Sequence, residues 1–344
     1  MIKKMYVIPL LCLGLFSCSS DDDAGDNNDN NVGFITEDLL NSDSLISFDI
    51  VSAELENGDI ADCYQLVFSS NPTRFETGPY CPETDQDTAG LSFYDGTTNP
   101  GLRVWSADFL TDLETDGFDF VSDDGTVHIE DFSGSTDNDP DTYSYCLDGQ
   151  DQDVEITFLI PVTPVVADEV NDIGEIELVG VSIDGVPMNG EPPSALNGPG
   201  GGMVMGGMGM MGAADDSNDE TIETAMIPSL DPCGGHNDPS GYYHWHFVPE
   251  VATQVLVNNG ITEIECTNIT QVTTGHVLSG FAKDGYPIYA YAIEPDGLDE
   301  CGGLTAPTDD FPDGVYHYVA STTVAPNVPA CLVGVAALNN FEAN

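Results

Sequence analysis

The sequence predicts a mainly β protein, an antiparallel β-sheet or sandwich-like domain with few short helices. Short runs rich in β-branched and aromatic residues recur between turn residues, and 36 Gly and 22 Pro punctuate them. No window sustains a period near 3.6 with capping signals. The first runs, Leu45–Leu55, Tyr64–Ser69, Leu102–Ala107 and Thr126–Phe132, are mixed in character. Val154–Val162, Ile176–Ser182, Gln254–Asn258, Val277–Ala282, Pro287–Ile293 and Val315–Ala320 are β-branched. Short helices fit near Asp38–Ser42 and Pro249–Val255.

An internal repeat appears at an offset of 100: Gly180-Val-Ser-Ile-Asp184-Gly185-Val-Pro187-Met188 against Gly280-Phe-Ala-Lys-Asp284-Gly285-Tyr-Pro287-Ile288. In each copy Asp-Gly separates two apolar runs, a strong hairpin signal, so a duplicated hairpin is expected. Between the copies, Gly198–Gly212 carries five of the nine Met. Glycine this dense holds no regular element, and thioether sulfurs are soft donors suited to copper.

Charge excludes whole classes of partner. Five Lys+Arg stand against 60 Asp+Glu, a net charge of −55. Nucleic acid is excluded, because phosphate binding needs cations that displace counterions. Docking of a charged face on anionic lipid is disfavoured for the same reason. A 41% hydrophobic content still permits a real core. The acidity favours solubility and loose Ca²⁺ binding.

The N-terminus predicts an address. Lys3 and Lys4 precede an apolar stretch, Tyr6–Phe16, too short to span a bilayer. Leu15-Phe16-Ser17-Cys18 resembles a bacterial lipobox, which implies a signal peptide over 1–17 and a lipid on Cys18. The Asp- and Asn-rich segment 18–32 reads as a self-repelling tether. It is similar to the acidic tracts that direct some lipoproteins to the outer face of the outer membrane. The expectation is therefore lipid anchoring in the outer membrane with exposure at the cell surface, the lipid being the only membrane contact.

Seven cysteines remain after Cys12 and Cys18, none in a C-x-x-C pair, so structural disulfides are the default. The simplest pairing by proximity is Cys63–Cys81, Cys233–Cys266 and Cys301–Cys331, which leaves Cys146 over.

Five of six histidines fall between residues 236 and 317. On a strand, residues two apart share a face, so in Tyr243-His244-Trp245-His246 both imidazoles point one way and the aromatics the other. Tyr316-His317-Tyr318 has the same form. If these strands adjoin, His244, His246 and His317 supply three nitrogens with an open position, suited to Zn²⁺ or Cu²⁺. His236 and His276 are further candidate ligands. The bland alternative is a set of buried imidazoles hydrogen-bonded to Tyr hydroxyls and carboxylates.

These blocks carry a resemblance. Asp231-Pro-Cys233-Gly-Gly-His236, Gly241-Tyr-Tyr243-His244-Trp245-His246, Gly280–Tyr289, Leu298–Gly303 and Gly314–Tyr318 are similar in kind and order to the YHYH domain family. Trp245 replaces the second Tyr, and Val319 stands where a final His is expected. The resemblance implies a secreted or surface domain and supplies no reaction. The organisation expected is an acidic β-rich region over 33–120, then a YHYH-type domain over 121–344 with a Gly/Met-rich loop at 190–221. Three functions remain open: a metal-binding module, a metal-dependent hydrolase or oxidase using Asp284, Asp299 or Glu300, and an adhesive protein binding glycan or a surface partner.

Overall fold

Strand pairing organises the described residues, as the alternating runs require. The computed structural model describes residues 33–70, 72–130, 143–149, 151–192, 194–196 and 225–344. The expected signal peptide 1–17, Cys18, the expected tether 18–32 and the Met-rich stretch 198–212 lie outside the described residues, as does most of the 190–221 segment. Two sheets dominate. One has four antiparallel strands, in the order Leu45–Glu54, Ile60–Ser69, Glu155–Pro161, Phe341–Ala343.

The other has eight strands. In chain order they are β1 (Leu178–Ser182), β2 (Pro187–Asn189), β3 (Gly235–Asn237), β4 (Tyr243–Trp245), β5 (His276–Ala282), β6 (Pro287–Tyr291), β7 (Gly303–Ala306) and β8 (Val315–Val319). Their spatial order is β3-β4-β2-β1-β5-β6-β8-β7. β1 and β5 pair antiparallel at the centre, Gly180 opposite Ala282, Val181 opposite Phe281, Ser182 opposite Gly280. Each half then repeats the other. The hairpin registers Val181–Pro187, Gly180–Met188 and Leu178–Asn189 recur as Phe281–Pro287, Gly280–Ile288 and Leu278–Tyr289, with the same irregularity. β4 runs parallel to β2 with Trp245 opposite Met188, and β8 parallel to β6 with Tyr318 opposite Ile288. The expected duplicated hairpin is thus the centre of a wider duplication, two four-stranded halves about an approximate two-fold axis at Val181 and Phe281.

Glycine is required at both turns. Gly185 and Gly285 hold φ of +84° and +95°, the left-handed region that side chains with a Cβ avoid. A Cβ on Gly180 or Gly280 would also lie 2.2 Å from the opposite strand's carbonyl oxygen, Phe281 O or Val181 O.

One face of the large sheet packs on the four-stranded sheet through Val181, Phe281, Leu278 and Tyr289 against Leu66, Phe68, Ile156 and Phe158. The other face carries Met188, Tyr243, Trp245, Ile288 and Tyr318, packed with Trp105 and with Phe109 and Leu113 of the helix Ala107–Thr115. Segments 33–120 and 121–344 therefore share sheets and cores, and the described residues fall in one unit.

Three local expectations need correction. The run Gln254–Asn258 is the end of a helix, Ala252–Asn258, because Ala252, Val255 and Leu256 recur at helical spacing and pack on Phe247 and Leu91. The helix Ala107–Thr115 was not expected from the sequence: nine residues are too few to show a sustained period. Third, Cys63 does not pair with Cys81. It is a free thiol on the small sheet, buried among Leu55, Val335 and Ala337, while Cys81 joins the leftover Cys146 at a Cα separation of 6.0 Å. Cys233–Cys266 and Cys301–Cys331 form as expected. Among its described residues, 126–130, the run expected over 126–132 contributes the strand Ile129–Glu130 and isolated bridges at Thr126 and Val127.

Candidate metal site

The loop before β3 sets the site's geometry. Asp231, 2% exposed, accepts from the backbone of Cys233 at 2.9 Å and Gly235 at 3.2 Å through Oδ1. Its Oδ2 accepts from Tyr243 Oη at 2.8 Å. The Cys233–Cys266 disulfide pins the same loop. β3 and β4 then pair with His236 directly opposite His244. His246 follows one pleat on, its amide donating to Gly234 O at 2.8 Å. Because side chains alternate along β4, Tyr243 and Trp245 enter the helix-side core while His244 and His246 share the opposite face.

Three imidazoles converge there. Nε2 of His246 lies 3.1 Å from Nε2 of His244 and 3.2 Å from Nε2 of His236. His246, His244 and His236 are 0%, 3% and 7% exposed. Three nitrogens each about 2.05 Å from one ion in tetrahedral array would stand about 3.3 Å apart, close to these two separations, and all three ligand atoms lie within 4.8 Å of one another. Nδ1 of His246 lies 2.6 Å from Gly190 O. A carbonyl only accepts, so Nδ1 carries the proton and Nε2 presents its lone pair to the cluster. That single lone pair serves one N–H donor; hydrogen bonding alone leaves the second ring contact unsatisfied. A bound cation would draw on all three lone pairs.

The electrostatics agree with neutral rings. Burial, reinforced by the neighbouring imidazoles, holds His236 and His244 well below the usual histidine range. Burial, then His236, pushes His246 down to about 3. The set of three histidines gathers no carboxylate, and it is the one such ligand cluster among the described residues.

His276 and His317 do not join it. They lie in the other half, because the approximate two-fold sends β4 and β8, its equivalent strands, toward opposite ends of the sheet. His317 shares the face of the small sheet, as alternation predicts, yet both its nitrogens are engaged: Nε2 at 2.9 Å from Tyr291 Oη and Nδ1 at 3.1 Å from Val315 O. Tyr291 stacks on it at 5.9 Å between centroids, and His276 packs on Tyr291 at 4.8 Å. The partner that completes the triad is instead His236. The spacing of His236 to the H-x-H strand held that signal, since a hairpin across residues 238–242 places it opposite His244. Gly190 O, which orients His246, left no sequence signal because the contact is through backbone.

The candidate acids are also occupied elsewhere. Asp284 Oδ2 accepts from Tyr318 Oη at 2.6 Å and from Gly334 N at 2.9 Å; burial nonetheless pushes its carboxyl up to about 6. Asp299 repeats the role of Asp231, accepting from Cys301 N, Gly303 N and Tyr316 Oη. Glu300 is exposed.

A mainly β protein with a duplicated sheet and, among the described residues, one buried three-histidine cluster is the class these observations define. Residues 157–294 match the model of the YHYH protein family. The matched span contains Tyr243-His244-Trp245-His246 and both Asp-Gly hairpins. No curated protein and no solved structure matches the chain.

Proposed function

We propose that this protein binds one transition-metal ion, copper or zinc, through Nε2 of His236, His244 and His246, and that it does so as a lipid-anchored outer-membrane protein exposed at the cell surface. One observation carries the metal reading: three buried neutral imidazoles on a disulfide-pinned hairpin gather their ligand nitrogens within 4.8 Å of one another, with His246 at 3.1 and 3.2 Å from its two neighbours as a shared ion requires. Imidazole suits both Cu and Zn. Binding without turnover is favoured over hydrolase or oxidase chemistry because Asp284 and Asp299 are committed to holding turns. The lipobox-like Leu15–Cys18 and the acidic tract after it support the address.

Metal analysis of untagged protein tests the site. One equivalent of Cu or Zn is expected after loading and dialysis, and none in His236→Ala/His246→Ala. Unchanged stoichiometry in that variant refutes the site. Release of Cys18→Ala into the soluble fraction, with the wild type retained in membranes, tests the anchor.

A further inference from the structure

The β3–β4 hairpin has a second face. Asn237 and Tyr243 alternate with the metal-site histidines and point away from them, toward a cavity of about 400 Å³ whose wall they share with Phe75, Glu76, Thr77 and Asp151. Asn237 is 4% exposed. Its Nδ2 donates to Gly149 O at 2.5 Å and faces Tyr80 Oη at 3.4 Å. The carbonyl acceptor settles which end of the amide is nitrogen, since a flipped amide would set oxygen against oxygen. Oδ1 of Asn237 is thereby left buried with no hydrogen-bond partner. Asp151 is similarly divided. Its Oδ1 accepts from Ser70 Oγ at 2.9 Å and Asp153 N at 2.8 Å, while its Oδ2 is buried with no partner.

Buried oxygens rarely stay unpaired, and these two belong to residues lining one cavity. The donors on offer are an amide oxygen, two carboxylates and the Thr77 hydroxyl, with no sulfur, imidazole or basic side chain lining the wall. That set is the chemistry of a hard cation. We propose that this cavity is a Ca²⁺ site using Asp151 Oδ2, Asn237 Oδ1 and the Glu76 carboxylate, with water completing the shell. Flexible coordination by six to eight oxygens favours Ca²⁺ over Mg²⁺, which demands near-ideal octahedral geometry. The site is separate from the histidine cluster and does not depend on it, lying across the hairpin and using a different donor type.

Terbium luminescence on the full, untagged chain tests the proposal. Tb³⁺ substitutes for Ca²⁺, and Tyr243, which lines the cavity, is the sensitiser. After chelator treatment and in about 0.15 M NaCl to screen diffuse surface binding, one saturable sensitised site is expected, displaced by Ca²⁺ and not by equal Mg²⁺. Asp151→Asn keeps the shape and the Oδ1 acceptor, and should weaken binding at least about tenfold by removing ligand charge. Glu76→Gln, at an exposed position, removes charge without risk to the core and should weaken it several-fold. His246→Asn should lose zinc and keep the terbium signal, so the failure of one site is distinguishable from that of the other. Equal Ca²⁺ affinity in wild type, Asp151→Asn and Glu76→Gln would overturn the proposal, as would the absence of any saturable site.

Discussion

The neutral triad has a consequence for stability in acid. An unfolded histidine takes up a proton near pH 6.5, whereas folded His246 resists protonation down to about 3, chiefly because it is buried. Between those values the unfolded chain binds the proton that the folded chain refuses, so stability is present above 6.5 and is lost as pH falls. Each pH step below 6.5 costs the apo folded state about 1.4 kcal/mol at this residue, or about 2 kcal/mol by pH 5. His246→Asn isolates the effect. Asn Nδ2 sits where the ring's Nδ1 was and can keep the bond to Gly190 O, while nothing remains to titrate. Carboxylates titrate alike in both proteins and drop out of the difference. Guanidinium unfolding with chelator present, at pH 7 and pH 5, measures it. The stability gap between wild type and variant should shift by about 2 kcal/mol toward the variant on acidification. Parallel profiles, with the gap unchanged to within about 0.5 kcal/mol, would refute the view that this ring is held neutral.

Three further outcomes follow from the same contacts. Zinc at about 100 times its Kd should stabilise wild type by about 2.7 kcal/mol, raising Tm by roughly 5 °C, and leave His246→Asn unmoved in a thermal scan. Tyr243→Phe removes the hydroxyl donor to buried Asp231 and the acceptor of Trp245 Nε1 at 2.9 Å; it should cost about 3 kcal/mol in denaturant unfolding. Its counterpart Tyr316→Phe, at a more exposed bond, should cost under about 1 kcal/mol. Cys81→Ala/Cys146→Ala opens a cross-link spanning 65 residues and should cost about 4 kcal/mol, with thiol labelling of the denatured, unreduced chain from residue 33 onward finding only Cys63.

Local pattern carried much of this structure into view. The alternation of Tyr243-His244-Trp245-His246 placed both imidazoles on one face, and the Asp-Gly pairs at 184 and 284 marked the two hairpins at the sheet's centre. What stayed hidden was non-local. Whether His317 or His236 completes the triad depends on which strands become neighbours, and a period of two says nothing about strand order. The repeat itself contained the answer at greater length. Asp231-Pro-Cys-Gly-Gly and Asp299-Glu-Cys-Gly-Gly are equivalent loops, so the H-x-H strand and the Tyr-His-Tyr strand are equivalent strands. A two-fold places such strands apart rather than side by side. Cys81 and Cys146 were obscure for a related reason: sequence proximity favours Cys63, but Cys63 rides on a different sheet.

The duplication also separates scaffold from site within one chain. Both halves keep the aspartate that gathers two loop amides and a tyrosine hydroxyl, Asp231 with Tyr243 and Asp299 with Tyr316. Both keep a cysteine bonded about 30 residues downstream, to Cys266 and Cys331. These residues hold the hairpins and would be needed whatever the halves bind. Of three positions facing the small sheet, His236, His244 and His246 in one half and Leu304, His317 and Val319 in the other, the first and last differ. Where two imidazoles are lost, Tyr289 and Tyr291 close over the third, their rings 5.0 and 5.9 Å from His317. Aromatic packing there satisfies the remaining ring without an ion. Had the histidines of the first half been mere core filling, the same solution was open to it. Instead that half places Asn189 and Glu191 at the corresponding positions and leaves three nitrogens facing one another.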